Sequence, residues 1–329
     1  MWLGACAPSR PAPNATGGKL SLAMVTDQSG LGDHGFNDTA WEGVQRAARE
    51  LDGEARVIES TEQAQYVPNL TRQAMDDVDL VIGVGFLLVD AMHEVALAHP
   101  EQKFALVDAT VDVPNVQQLV FNEQEGSFLG GVIAGLTTAT GKVGVVGGVE
   151  IPPGIRWICG FKAGVRSVRP EAQVLVGFAG SFGDPAKGKE IASAQYDRGA
   201  DVIFEIAGAT GIGAFRAAAE RGPGVFVFGT DRCKFDLAPA NALPDVVKRV
   251  DRAAYSAARA VAENRFRGGR ITLGLEAGAI DLCERSVARL APEIRATVEK
   301  ARALILARNL TPPRTYAELA GFAPPKLLN

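Results

Sequence analysis

Two stretches of the chain share one organisation and decide the fold: residues 25–38 read VTDQSGLGDHGFND, and residues 199–213 read GADVIFEIAGATGIG. Each begins as a buried strand and continues into a loop of Gly, Asp and small polar residues. An amphipathic helix is predicted after each, over Thr39–Leu51 and Ala214–Arg221. In open α/β sheets, ligands bind at such turns because the helix N-terminus offers free N–H groups. Two such turns, far apart in the chain, predict two half-sites that face each other.

Strands and helices alternate on both sides of these stretches. The predicted strands are continuous runs of Val, Ile, Leu and Phe, as expected for parallel strands covered on both faces. Such alternation predicts doubly wound sheets, and two of them in series make two Rossmann-like lobes. The strands are predicted at Leu20–Val25, Ala55–Ile58, Leu80–Val84, Phe104–Val107, Gln117–Phe121, Val143–Gly147, Gln173–Gly177, Val202–Ile206 and Val225–Gly229.

Beyond Val250 the remaining pieces are too few for a third domain. They are two predicted helices, Asp251–Asn264 and Ala291–Ala307, and two short strands between them, Ile271–Leu275 and Ala279–Leu282. We expect them to complete the two sheets, so that the chain crosses between the lobes more than once and forms a hinge. The predicted lobes are residues 19–122 with 249–276, and residues 123–248 with 277–329.

Composition excludes several functions. The chain has 329 residues and a formal net charge of −4, which gives no general attraction to nucleic acid. Basic residues near the C-terminus are spaced as on a solvated helix face. No run of about 18 apolar residues exists that could span a membrane.

The first eighteen residues differ from the rest. Leu3-Gly4-Ala5-Cys6 resembles the lipobox of bacterial lipoproteins, in which the cysteine is lipidated, and the Pro-, Ser- and Asn-rich residues after it would form a flexible tether. We favour this interpretation over a chance cysteine in a tail. It predicts a lipid-anchored protein on the extracytoplasmic face of the membrane.

The other cysteines are Cys159, Cys233 and Cys283. They have no metal-binding spacing, so we expect no metal site. A disulfide between two of them is possible, and the sequence does not decide which.

Polar residues crowd the loop after the first strand. Asp27, Asp33, Asn37 and Asp38 lie within twelve residues. Turn formation or capping of the next helix, for which Asn37 or Asp38 is suited, competes with ligand contact for each of them. Asp27 follows the strand directly, which favours a position in the cleft. Phe36 stands in the same polar loop and is either a lid on the core or a ligand contact.

Other strand ends carry candidate ligand contacts. Asp108 and Asp231 each follow a strand, where a carboxylate can accept hydrogen bonds from a vicinal diol or cap a helix. Gly208 opens a glycine-rich loop that resembles a phosphate-binding loop only weakly. Phe204 is, by pattern alone, a core residue. The three histidines, His34, His93 and His99, form no catalytic arrangement with a nucleophile, so we expect no enzyme.

Together these residues resemble the basic membrane protein family of ABC-transporter substrate-binding lipoproteins, whose characterised members bind purine nucleosides. The resemblance extends from about Ser21 to Leu282. It implies a type I periplasmic-binding-protein fold with three crossings between lobes, a purine nucleoside held between them, and permease subunits as partners. The matching segments are Asp27, Gly35–Asp38, Gly85–Phe86, Phe104–Asp108, Asn122–Gly131, Gly147–Pro152, Gly180–Lys189 and Asp201–Gly213.

The resemblance also implies roles for particular residues. Aromatic residues matching Phe36 and Phe204 would stack on the base, while Asp108, Asp231 and Lys248 would hold ribose or base edges. The full predicted set is Asp27, Phe36, Asn37, Asp108, Trp157, Phe204, Gly208, Asp231 and Lys248.

The chain departs from the family at two places. The usual Val-Asp-Ser-Asp-Gln is replaced by Thr230-Asp231-Arg232-Cys233-Lys234, and Trp157 stands where the family usually has no large indole. These two departures leave the identity of the ligand open: it could also be another nucleoside, a free nucleobase or a flavin-like ring.

Two other classes of protein compete with this interpretation. An NAD-dependent dehydrogenase is built on the same strand and loop units, but GxGxxG is missing after the first strand. A sugar-responsive transcription regulator needs a helix-turn-helix, for which residues 1–18 offer too little sequence. We therefore expect a binding protein without a cofactor.

Overall fold

The computed structural model describes residues 19–76 and 78–328, so the expected lipidation site Cys6 and the tether lie outside the described residues. The strands are β1 (Leu20–Thr26), β2 (Gly53–Ile58), β3 (Leu80–Val84), β4 (Phe104–Val107), β5 (Val116–Phe121), β6 (Lys142–Gly147), β7 (Gln173–Phe178), β8 (Val202–Ile206), β9 (Phe226–Phe228), β10 (Thr230–Asp231), β11 (Val246–Lys248), β12 (Gly269–Leu273) and β13 (Ile280–Leu282). The helices are α1 (Phe36–Glu50), α2 (Tyr66–Met75), α3 (Val89–Ala98), α4 (Glu123–Thr137), α5 (Pro152–Val168), α6 (Pro185–Asp197), α7 (Ile212–Arg221), α8 (Val250–Ala262), α9 (Glu284–Val287), α10 (Pro292–Leu306) and α11 (Tyr316–Ala320).

The first lobe is built on a six-stranded sheet with the order β12-β5-β4-β3-β1-β2, in which every neighbouring pair is parallel. Side chains alternate between the two faces of a strand. In β1, Leu22 and Met24 accordingly belong to one hydrophobic cluster, and Ala23 and Val25 belong to another. The sheet is therefore covered on both faces, which explains why its strands read as continuous apolar runs.

The second lobe contains a parallel sheet with the order β7-β6-β8-β9 and a small mixed sheet with the order β10-β11-β13. Helices α4 and α5 pack closely beside them. A Cβ atom on Gly131 of α4 would lie 2.2 Å from the carbonyl oxygen of Phe161 in α5, so only glycine permits this approach.

The chain passes between the lobes three times. It leaves the first sheet after β5, returns through α8 after β11, and leaves again between β12 and β13. The predicted pair of Rossmann-like lobes with a three-segment connection is thus confirmed. The strand β12, from late in the chain, completes the sheet that β1 to β5 begin.

Helix α5 begins at Pro152, because proline is well suited to the first turn of a helix. The terminal segment forms α11, and its Leu319 and Leu327 are buried. Among the described residues, no helix is both long and apolar enough to cross a membrane.

Candidate ligand-binding site between the two lobes

The loop after β1 is folded around the carboxylate of Asp33. This buried group accepts hydrogen bonds from the backbone N–H groups of Gly35, Asn37 and Asp38, at 2.9, 2.8 and 3.2 Å. Helix N-termini need such acceptors, and Asp33 supplies them here rather than Asn37 or Asp38, for which capping was one of the interpretations that the sequence left open. Because Asp33 does so, α1 begins at Phe36, and this aromatic ring stands on the first turn of the helix.

Asp27 lies next to this turn and is part of a small polar cluster. Its Oδ1 accepts hydrogen bonds from Asn37 Nδ2 at 2.9 Å and from the N–H of Ser29 at 3.0 Å. Burial raises the pKa of Asp27 to about 6, although these two hydrogen bonds lower it. Asn37 Oδ1 and Ser29 Oγ are buried without a hydrogen-bond partner. A buried polar atom without a hydrogen bond costs free energy and calls for an explanation. A bound ligand that hydrogen-bonds to these atoms would supply one.

Asp108 and Asp231 share an unusual backbone conformation. Their φ angles are +71° and +75°, in the left-handed region that non-glycine residues rarely adopt. Such strain costs on the order of 1–3 kcal/mol and is found preferentially at functional sites. Asp108 Oδ1 is also buried without a partner. A Cβ atom on Gly35 would lie 3.4 Å from Asp231 Oδ2, so the two lobes meet at this acid.

Lys248 joins the lobes through a buried charge network. Its Nζ lies 2.5 Å from Asp108 Oδ2 and 3.0 Å from Glu123 Oε1, and Glu123 also pairs with Arg156 at 2.5 Å. Burial alone would raise the pKa of Glu123, but Lys248 and Arg156 hold it below its usual value. Burial opposes the charge of Lys248 as well, yet the two carboxylates raise its pKa. The ammonium group also lies 5.1 Å from the ring centroid of Phe36.

Aromatic side chains reach the cleft from both lobes. Phe36 and Phe86 come from the first lobe, and Trp157 and Phe182 come from the second. Phe36 and Phe182 are half-buried, so part of each ring is open to a ligand. Phe182 was missed in the sequence, although the family-like segment 180–189 contains it.

The expected position of Phe204 in the cleft is wrong. Its side chain is fully buried, and its ring stacks on Phe228 with centroids 4.6 Å apart. Phe161 and Trp157 pack against it at 5.1 and 6.0 Å. Phe204 lies in the middle of β8, whereas Ile206, at the carboxyl end of this strand, reaches the cavity.

A cavity lies between the lobes and is partly open to solvent. It brings together eight of the nine predicted residues, with Phe204 as the exception. Ser29, Phe86 and Phe182 are among the lining residues that were not predicted. The lining residues are Asp27, Ser29, Asp33, Phe36, Asn37, Gly85, Phe86, Leu87, Asp108, Ile151, Pro153, Gly154, Trp157, Phe182, Ile206, Gly208, Thr230, Asp231 and Lys248.

A disulfide lies close to this cavity. Cys233 and Cys283 are bonded, with their Cα atoms 5.6 Å apart, and Cys159 is free and buried. This decides the pairing that the sequence left open. Within the described ranges, no cluster of three or more His, Cys, Asp or Glu side chains is arranged to hold a metal ion.

Two α/β lobes joined by three crossings, with a polar and aromatic cavity between them, define a ligand-binding protein of the type I periplasmic class. The chain belongs to the Bmp family of PnrA-like ABC transporter substrate-binding proteins, whose sequence profile matches residues 20–305. The resemblance to the basic membrane proteins is therefore confirmed.

Individual relatives agree with this assignment. The chain is 38% identical to the CD4+ T-cell-stimulating antigen of Listeria monocytogenes, over 94% of both chains. It is 32% identical to the ABC transporter nucleoside-binding protein BmpA of Lactococcus lactis, over 89% of both chains. A crystal structure of an ABC transporter solute-binding protein from Aeropyrum pernix K1 superposes with a TM-score of 0.82 at 30% identity, covering 92% of this chain and 96% of that one.

Proposed function

We propose that this protein captures a purine nucleoside between its lobes and delivers it to the permease subunits of an ABC importer, without chemical change to the ligand. The observation that carries the proposal is the set of three buried, unpartnered oxygen atoms Ser29 Oγ, Asn37 Oδ1 and Asp108 Oδ1. All three residues line the cavity. Their oxygens can accept hydrogen bonds from a ligand rich in O–H and N–H donors.

The side chains that line the cavity suit the two halves of a nucleoside. Asp108 and Asp231 supply carboxylates for the ribose hydroxyls, and the half-buried rings of Phe36 and Phe182 offer apolar faces to a planar base. A free nucleobase has no hydroxyl groups for these acids. The residues that line the cavity, all within the described part of the chain, include no histidine or cysteine, which also favours binding over catalysis.

The sugar contact of Asp231 supplies the test of this function. We expect Asp231→Ala to weaken guanosine binding by about 1.5–3 kcal/mol, or about ten- to a hundredfold, because a hydrogen bond to a charged group is lost. The variant should change the affinity for 2′,3′-dideoxyguanosine little. Titration calorimetry measures both affinities, with thermal unfolding to verify the fold. Wild-type protein that binds adenine, riboflavin or NAD more tightly than guanosine or adenosine would contradict the nucleoside assignment.

We also propose that the protein is anchored at the extracytoplasmic face of the membrane through lipidated Cys6. The Leu-Gly-Ala-Cys sequence supports this extracytoplasmic location. The Cys233–Cys283 disulfide supports it too, because disulfides persist in oxidising compartments. Expressed with a functional signal sequence, the wild-type protein should incorporate radioactive palmitate, and Cys6→Ala should not. Equal labelling of the two proteins would refute the anchor.

A further inference from the structure

We propose that the Cys233–Cys283 disulfide is a positioning element for the ligand-binding carboxylate of Asp231, so that affinity for a hydroxyl-bearing ligand depends on this crosslink. The inference rests on the proposed function, because it takes Asp231 as a ligand contact. Cys233 lies two residues after Asp231, in the stretch that departs from the family pattern.

The conformation of Asp231 needs external support. It belongs to the two-residue strand β10, and its φ of +75° is unfavourable for a residue with a Cβ atom. The N–H of Arg232 donates to the carbonyl oxygen of Thr230 at 2.9 Å, which closes a tight turn around the acid. A strained turn of this kind persists only where its surroundings hold it in place.

Hydrogen bonds hold both ends of the segment 229–234. Asp245 accepts one from the N–H of Gly229 at 2.8 Å and another from the N–H of Lys234 at 2.7 Å, each with a different carboxylate oxygen. The buried ammonium of Lys234 lies 2.6 Å from Glu205 Oε1. These contacts fix the two ends, while Asp231 and Cys233 lie between them.

The disulfide adds a covalent attachment at Cys233, beside the pairing of Thr230 and Asp231 with β11. It joins Cys233 to Cys283, whose own N–H donates to the carbonyl oxygen of Asp245 at 2.8 Å. The crosslink therefore ties the turn to the residue that already holds its two ends. Asp231 is left with little freedom, which lowers the entropy lost when it binds a ligand.

Reduction of the crosslink supplies the measurement. Cys233 is half-buried and lines an open cavity beside Asp231 and Arg232, so a reductant can reach it. Tris(2-carboxyethyl)phosphine breaks the Sγ–Sγ bond with two electrons and two protons, giving two thiols, and the phosphine becomes its oxide with oxygen from water. We expect guanosine affinity to fall about tenfold, with the hydrogen bonds of Asp245 limiting the loss.

Variants separate positioning from general stability. Cys283→Ala breaks the crosslink without altering the 229–234 segment, and Cys159→Ala is the matched control, because this cysteine is free. We expect Cys283→Ala, but not Cys159→Ala, to weaken guanosine binding about tenfold while changing 2′,3′-dideoxyguanosine binding little. In an Asp231→Ala background, reduction should have no further effect on guanosine.

Hydrogen exchange of the ligand-free protein keeps this inference separate from the proposed function. Reduction should speed exchange at the amides of residues 230–234 while most other amides are unchanged. If oxidised wild-type protein binds no nucleoside, the proposed function fails, and exchange alone decides on positioning. Unchanged exchange overturns the inference, as does an unchanged guanosine affinity or an equal loss for both nucleosides. Should Cys283→Ala fail to fold, reduced wild-type protein at 25 °C gives the same comparison.

Discussion

Replacing Lys248 with methionine is expected to destabilise the ligand-free protein by about 3–5 kcal/mol, because it leaves buried carboxylates without their cation. Methionine keeps most of the length of lysine, so the change removes the charge more than the volume. Asp108 loses its ion pair with Lys248, whereas Glu123 keeps Arg156. Urea unfolding gives the difference in free energy. The control is Lys187→Met, which breaks an exposed pair with Glu190 and should cost about 0.5 kcal/mol or less.

The cost of Lys248→Met should depend on pH. Burial already raises the pKa of Asp108, and loss of the neighbouring ammonium raises it further. The pKa of Asp108 in the folded variant then lies above its value in the unfolded chain. As the pH falls from about 7.5 to about 5, the folded variant takes up a proton that the unfolded chain does not, so its stability rises. A cost below about 1 kcal/mol at pH 7.5, or one independent of pH, would contradict the charge network.

The sequence was most informative about the fold, because a parallel strand that is buried on both faces is apolar along its whole length. Leu80–Val84 is apolar throughout and is fully buried as β3. The short segments after Val250 also predicted the fold. Since they are too short to form a third domain, they had to complete the two lobes. Helix starts were less well predicted. The start of α1 depends on the carboxylate of Asp33, which reaches several N–H groups only once the loop has closed.

The placement of candidate site residues could be predicted where it follows from their position at the end of a strand. Asp27 and Asp108 follow β1 and β4, whose carboxyl ends lie at one edge of the parallel first sheet, and Asp231 ends β10 in the small sheet of the second lobe. The disulfide depends on contacts that the sequence does not contain. Cys233 and Cys283 are 50 residues apart, and only the small sheet of β10, β11 and β13 brings them together.

Phe204→Ala is expected to destabilise the protein by about 3–5 kcal/mol, because it opens a cavity in a packed aromatic cluster. The ring is fully buried against Phe228 and Phe161, so the surrounding side chains have little room to collapse. Urea unfolding of the ligand-free protein measures the loss. Phe36→Ala is the matched comparison, since the same atoms are removed from a half-buried ring, and we expect it to cost about 1–2 kcal/mol of stability.

Binding should reverse the order of these two variants. Phe36 lines the cavity and Phe204 does not, so Phe36→Ala should weaken guanosine binding by about 1–3 kcal/mol, the value of one base–aromatic stack. Phe204→Ala, studied at a temperature where it remains folded, should change the affinity by less than about 1 kcal/mol, since Phe204 acts only through its packing on Trp157. A large loss of affinity in Phe204→Ala with stability preserved would show that this side chain contacts the ligand in the cleft. If instead Phe36→Ala lost stability but kept its affinity, its ring would be part of the core rather than a contact for the base.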